Sequence, residues 1–326
     1  MFLLDPDIFV WDLAILVLLA LCGAGAIVSA VWIQHHGNSP RVSRVLVSIV
    51  GVLGFVGFLT ISYGAFVEPS ILRTTEFAVP FPLSQPLRIV VLSDFHVGPY
   101  AQEADVQRVV DRANAVLPDL VLLAGDFVSV PETDMDALKS LESLRASLGV
   151  FAVLGNHDIG EFRSVGGSRY ATGNRAEDLT ISLERMGITV LRNESRVVRT
   201  GDERFAIVGI DDLWSPSHNL PKAMEVEEGV PILLLSHNPD VIREAKSDRA
   251  ALIVSGHTHG GQIRLPLIGP IAPIPTKLGR KYDQGIFPLG GSRTLAITRG
   301  VGATFARARL FAWPEVMVLT TQQSEQ

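Results

Sequence analysis

The sequence predicts an α/β fold, two stacked β-sheets with helices outside them, behind an N-terminal hairpin of two membrane-spanning helices. Three observations predict it. Two apolar stretches without a charged residue stand in tandem near the start, over residues 13–33 and 45–67. From residue 87 onward, short apolar runs alternate with helically spaced segments, and the later part is richer in strands; that order reads as a layered α/β domain. Several of the apolar runs end directly in polar residues that can bind metal.

The apolar stretches account for the composition. The chain has 326 residues, 47% hydrophobic and 19% charged, and its mean hydropathy of +0.31 is high for a soluble protein. At ~1.5 Å rise per residue each stretch is long enough to cross a ~30 Å hydrocarbon core. Trp11 and Trp32 flank the first, and Tyr63 and Phe66 lie near the end of the second, where interfacial aromatics belong. Val28-Ser29-Ala30 resembles a signal-peptide cleavage site, but Asp5, Asp7 and Asp12 precede the first span where a signal peptide carries positive charge. The turn between the spans holds Arg41 and Arg44, which favours a cytoplasmic turn and an extracytoplasmic domain after the spans. A net charge of −6 with no basic block argues against nucleic acid as a partner. The single cysteine, Cys22, lies inside the first span, which excludes an intrachain disulfide and a thiolate metal cluster.

The elements follow in order. Residues 68–86 read as a linker, because Pro69, Pro80, Pro82 and Pro86 interrupt any helix. Residues 87–92, 120–124 and 150–154 are apolar runs of strand length. Between and after them, 103–117, 135–148 and 176–186 carry helical spacing. Shorter strands are expected around Ile188 and Val197 and over 205–210, 232–235 and 252–254, with further strand over 294–298 and 309–320. The α/β domain is expected to span 87–320, with 321–326 as a tail.

The most informative stretch is Ser255-Gly256-His257-Thr258-His259-Gly260-Gly261-Gln262. On extended backbone its two histidines point the same way, and the flanking glycines admit close approach. A metal site and a turn with hydrogen-bonded histidines both fit this stretch alone. Four upstream segments share its character: Ser93-Asp94-Phe95-His96, Gly125-Asp126, Gly155-Asn156-His157-Asp158 and Ser236-His237-Asn238-Pro239. Each follows an apolar run, and loops at strand carboxyl ends converge on the site of an open α/β sheet. Together the segments hold five of the eight histidines.

This order of motifs resembles the calcineurin-like metallophosphoesterase family over most of residues 87–320. The Gly-His-Thr-His-Gly-Gly-Gln run, Ser-His-Asn-Pro and Thr298-Arg299-Gly300-Val301-Gly302 resemble its bacterial membrane-associated phosphodiesterases and phosphohydrolases. The resemblance implies a four-layer α/β/β/α sandwich and two divalent metal ions. One would be held by Asp94, His96, Asp126 and His259, the other by Asp126, Asn156, His237 and His257, with His157 as the catalytic histidine. Phe95 departs from the leucine more usual there, and the segment after Gly302 is unusually rich in alanine and arginine.

The chemistry is that of a two-metal site. Paired ions polarise a phosphoryl oxygen and acidify a bridging water, whose hydroxide attacks phosphorus in line. A ligand set of nitrogen and oxygen suits Mn, Fe, Zn or Co. The expected function is hydrolysis of a phosphate ester or pyrophosphate of a lipid or cell-envelope precursor at a bacterial plasma membrane. A phosphodiesterase for soluble nucleotides and a non-catalytic scaffold are the alternatives. Arg163, Arg169 and Arg175 among the glycines of 160–175 form a candidate phosphate-gripping loop, and the apolar, proline-rich 263–285 a candidate rim facing lipid. For Asp158, turn capping competes with tuning of His157.

Overall fold

The computed structural model describes residues 6–129, 133–164, 167–170, 175–304 and 306–323. The apolar stretches form helix α1 (Pro6–His35) and helix α2 (Arg41–Ser62), folded back on each other. The rest of the protein covers almost none of either span. A helix that is apolar all round and left bare is one whose solvent is lipid. The two helices meet through small residues: Gly51 faces Ser29, Gly54 the backbone of Cys22 and Ala26, and Gly57 the Cys22 thiol. Side chains of that size let membrane helices approach closely enough to pack.

Helix α2 passes through a single π-turn (Tyr63–Val67) and a 3-10 turn (Glu68–Ser70) into strand β1 (Arg73–Pro80). Much of the expected linker is therefore an edge strand of the main sheet, paired in parallel with residues 315–322; Pro80 is tolerated there because the donor to Gln322 O is the next amide, that of Phe81 (2.9 Å). The helix exit is also built into the domain. Glu68 is wholly buried, its Oε1 accepts from the Ala312 amide (2.7 Å), and the Arg309 amide donates to Gly64 O (2.8 Å). The Arg73 guanidinium lies 3.7 Å from the centre of the Trp313 ring.

The chain continues through β2 (Arg88–Leu92), α3 (Glu103–Asn114), β3 (Leu120–Ala124) and β4 (Val150–Val153). A small hairpin, β5 (Glu161–Ser164) and β6 (Gly167–Tyr170), leads to α4 (Arg175–Arg185), β7 (Thr189–Val190), β8 (Glu194–Thr200) and β9 (Glu203–Gly209). Next come the short α5 (Leu220–Ala223), β10 (Ile232–Leu235), β11 (Leu252–Ser255) and a second small hairpin, β12 (Arg264–Leu265) and β13 (Gly269–Pro270). Strands β14 (Gly285–Pro288), β15 (Thr294–Ile297) and β16 (Glu315–Gln322) complete the domain.

One sheet has the order β1-β16-β2-β3-β4-β7 and the other β14-β15-β11-β10-β9-β8. The central strands of both are parallel and read as unbroken apolar runs, as strands buried on both faces must. Alternate residues fill two different layers. Ile89, Val91, Leu120 and Leu122 meet Phe205, Ile207, Leu233 and Leu252 between the sheets. Val90, Leu92, Val121 and Leu123 face α3 and α4, while Val208, Leu234 and Ile253 face α5. The four layers are thus helix, sheet, sheet, helix.

Two expected elements differ. The helix expected over 135–148 is a 3-10 helix over Met135–Ser143. Leu138, Leu141 and Leu144 recur every third residue, the period at which a 3-10 helix stacks its side chains. The strand expected over 309–320 begins only at Glu315, since Phe311 turns through φ +55° and Pro314 precedes the ladder.

Candidate metal centre

Strand register brings the motif loops together. Leu92 pairs with Leu123 and Ala124 with Val153, so Asp94, Asp126 and Asn156 follow adjacent strand ends. In the second sheet Leu235 pairs with Val254 and Ser255 with Ile297, which aligns His237, His257 and Thr298. Cross-loop bonds extend the ladders: Asp94 N to Gly125 O (2.9 Å), His96 N to Asp126 O (3.1 Å) and Gly256 N to His237 O (3.1 Å).

All seven expected ligands and His157 are buried. Asp94, His96 and His259 form one cluster of possible ligand atoms, and Asp126, His237 and His257 another; a third joins His96, Asp126 and His157. Asp126 Oδ2 lies between the sets, 3.6 Å from His96 Nε2 and 3.2 Å from His237 Nε2. His96 Nε2 and His259 Nε2 are 3.1 Å apart, and His257 Nδ1 and His237 Nε2 3.0 Å. Asp94, His96, Asp126, His257 and His259 all have φ between +46° and +71°. Each such non-glycine residue costs on the order of 1–3 kcal/mol, and strain of this kind concentrates at functional sites.

The donor chemistry fits a cation. His237 Nδ1 donates to Ala124 O (2.7 Å), so the Nε2 lone pair faces the Asp126 carboxylate. A ring nitrogen tethered to a backbone carbonyl is the usual outer support of a histidine ligand. Two acceptors 3.2 Å apart need a positive charge between them. Without a metal a proton fills that place: burial lowers the His237 pKa, but Asp126 outweighs it and raises the group to about 10. Burial pushes Asp126 up, yet His237 and then His157 hold it well below the usual carboxylate range. Burial lowers His96 to about 3 and keeps His257 and His259 well below the usual imidazole range, leaving these rings in the neutral form that metals take. Burial raises Asp94 to about 7, so a cation beside it would complete its ionisation.

Supporting contacts hold these side chains. The His257 amide donates to Asp94 Oδ1 (3.1 Å) and the His157 amide to Asp126 Oδ1 (3.0 Å). His157 Nδ1 donates to Ser129 O (2.7 Å), leaving Nε2 for other chemistry. Asp158 acts as the cap of these loops. Its carboxylate accepts from the amides of Gly155, Asp126 and Phe127, each at 2.8 Å, and of Val128 at 3.2 Å. Burial and Asp126 raise its pKa to about 7, while the amide donors favour the ionised form. Of the arginine-rich loop, the side chains of Arg163 and Arg169 lie outside the described residues, and Arg175 Nη2 donates to Thr133 O (2.9 Å).

Three contributors, Arg309, Asp212 and Trp214, carry no motif of their own in the sequence. Arg309 is wholly buried, donates to Gly302 O and to Ala312 O (2.7 Å), and stands 3.5 Å from His259 Nδ1. Burial lowers its pKa to about 10, so it stays cationic at neutral pH. Asp212 is buried and acts on His237, and the Trp214 ring lies 4.8 Å from that of His257, edge to face. The signal for this pair was present: Asp211 and Asp212 follow β9 as another polar end to an apolar strand.

A family model described as Calcineurin-like phosphoesterase matches residues 87–261, more than half of the chain. The chain belongs to the calcineurin-like phosphoesterase family. It is 34% identical to the phosphodiesterase YaeI of Escherichia coli, over 72% of this chain and 82% of that one. It is 28% identical to the UDP-2,3-diacylglucosamine pyrophosphatase LpxG of Chlamydia trachomatis, over 80% of this chain and 92% of that one. A transmembrane protein with metallophosphoesterase domain from Danio rerio is 30% identical over 73% of this chain and 54% of its own length. The protein is therefore a phosphoester hydrolase with two apolar N-terminal helices long enough to cross a membrane.

Close packing in this metallophosphoesterase makes one glycine a sensitive probe. A methyl on Gly256 would overlap the Ser93 hydroxyl and stand 2.7 Å from Asp94 Oδ2. Gly256→Ala is expected to displace Asp94 and lower kcat/KM by ~10²-fold, the cost of about 1 Å of misplacement. Circular dichroism of the variant should remain native, and a collapse of secondary structure would show a folding defect instead.

Proposed function

We propose that the chain hydrolyses a phosphate ester or pyrophosphate of a lipid or cell-envelope precursor, using two divalent metal ions drawn from Mn, Fe, Zn or Co. The observation that carries this reading is the position of Asp126 Oδ2 between two histidine sets. Asp94, His96, Asp126 and His259 would hold one ion, and Asp126, Asn156, His237 and His257 the other. When bound, such ions supply Lewis-acid polarisation of the phosphoryl group and an acidified water. The remaining work falls to side chains. Ser129 O fixes the His157 ring by its Nδ1 proton, so Nε2 is the atom that exchanges a proton with the leaving oxygen. Ala124 O and the Asp158 network fix the loops around it.

The lipid part of the reading rests on the membrane hairpin over 1–67, which confines the domain over 87–320 near a bilayer. It is supported by LpxG, whose name gives it a diacylated pyrophosphate substrate. The turn arginines Arg41 and Arg44 support an extracytoplasmic domain; proteolysis of the domain in intact spheroplasts is expected, and full protection would place it inside. Chelation should abolish hydrolysis, and metal analysis of the active protein should give two ions per chain. Full activity in metal-free protein would overturn the mechanism. Hydrolysis of soluble nucleotide diesters in preference to lipid phosphates would overturn the substrate class.

A further inference from the structure

One surface patch beside the metal centre is unlike the rest of the catalytic domain. The β12–β13 hairpin exposes Leu265, Leu267, Ile268 and Ile271, with Leu267 uncovered entirely and Ile268 exposed to 65%. Phe311 adds a fifth large apolar side chain, exposed to 40%. Single exposed leucines need no account, but a contiguous apolar group marks an interaction surface. The hairpin is held in place. Arg264 N donates to Leu310 O (2.9 Å), Leu310 N to Gln262 O (2.9 Å) and Ile271 N to Ile263 O (3.0 Å). The Arg264 guanidinium pairs with Asp283.

What covers this patch is indicated by its neighbours. Leu310 packs against Gly64, in the π-turn that ends the second membrane helix. Backbones lie side by side from Gly64 through Leu310 and Ile263 to Ile271. At ~4.8 Å per neighbouring segment, Ile271 at the base of the hairpin stands about 15 Å from Gly64. Arg280 and Lys281 line the same concavity as Leu265, Leu267, Ile268 and Phe311. An apolar tip with flanking cations, beside the end of a membrane span, has the chemistry of an interfacial segment on anionic lipid.

We propose that the 265–271 tip and Phe311 enter the headgroup region of the bilayer that anchors the chain, with Arg280 and Lys281 against lipid phosphates. This second contact, with the hairpin, fixes the orientation of the domain on the membrane. Gly261, two residues beyond His259, packs against Pro270 at the base of the hairpin, so this contact would hold the metal centre close to the membrane surface. That consequence deepens the proposed lipid-phosphate substrate and rests on it; the contact itself does not.

The test uses the full chain, with Cys22→Ser, in nanodiscs of phosphatidylethanolamine and phosphatidylglycerol. A nitroxide is attached at Leu267→Cys or, as control, at Leu117→Cys, which is 80% exposed at the opposite strand ends. Power-saturation EPR should show the 267 label more accessible to oxygen than to a nickel chelate, and the 117 label the reverse. Arg280→Glu with Lys281→Glu should shift the 267 label toward the chelate. Chelate access at 267 equal to that at 117, or shielding of 267 from both relaxants as under a protein partner, would overturn the proposal. No turnover is involved, so failure here and failure of the proposed activity are read separately.

Discussion

Asp126→Asn should be the most damaging single substitution in the chain. One oxygen of the Asp126 carboxylate lies between imidazole nitrogens of both histidine sets, and its other oxygen takes the His157 amide. An amide keeps the shape but puts neutral groups where, on the proposed mechanism, one oxygen would serve two cations. Losing an outer-shell partner already costs ~10–100-fold in metal affinity or activity. Losing the shared ligand should exceed that, with bound metal falling well below two ions per chain. Isothermal titration with Mn²⁺ and single-turnover hydrolysis would read the two losses together. A variant that keeps two ions and wild-type turnover would remove Asp126 from the centre of the mechanism.

His157→Ala should separate the proton from the metals. If His157 protonates the leaving oxygen, its removal should cost ~10²–10⁴-fold on esters with poor leaving groups. On p-nitrophenyl esters, whose phenolate leaves unprotonated, the loss should be far smaller. His157 belongs to a cluster with His96 and Asp126, close enough for ligation to be the competing role. Metal content decides between them. His157→Ala should retain both ions, whereas His259→Ala should lose affinity. An equal kinetic loss on both substrates, or metal released from the His157→Ala variant, would move His157 to positioning or ligation.

The layered core was legible because β2, β3, β10 and β11 are unbroken apolar runs, a pattern that needs cover on both faces. The candidate metal centre was legible because its residues sit in short motifs directly after those runs. What escaped notice depends on contacts remote in sequence. Strand β1 lies among prolines and becomes a strand only by pairing with β16, more than two hundred residues later. Arg309 lies in an alanine- and arginine-rich segment with no motif, and its role comes from folding back onto Gly302 and His259. The 3-10 helix over Met135–Ser143 differs from an α-helix only in that its leucines recur at three rather than at three and four.

The buried Glu68 carboxylate changes what kind of object the membrane hairpin is. A tether can be cut and leave a working enzyme in solution. Here the last residues of the span supply the acceptor for the Ala312 amide and a countercharge near Arg309, which leans on His259. Severing the chain after residue 68 would strip that carboxylate only if the fragment departs, while beginning it after residue 68 leaves a buried donor unmet, at about 1–3 kcal/mol. The exit of the second helix is thus a buttress of the catalytic loop, and a form of this enzyme cut free of its hairpin would be a different and weaker machine.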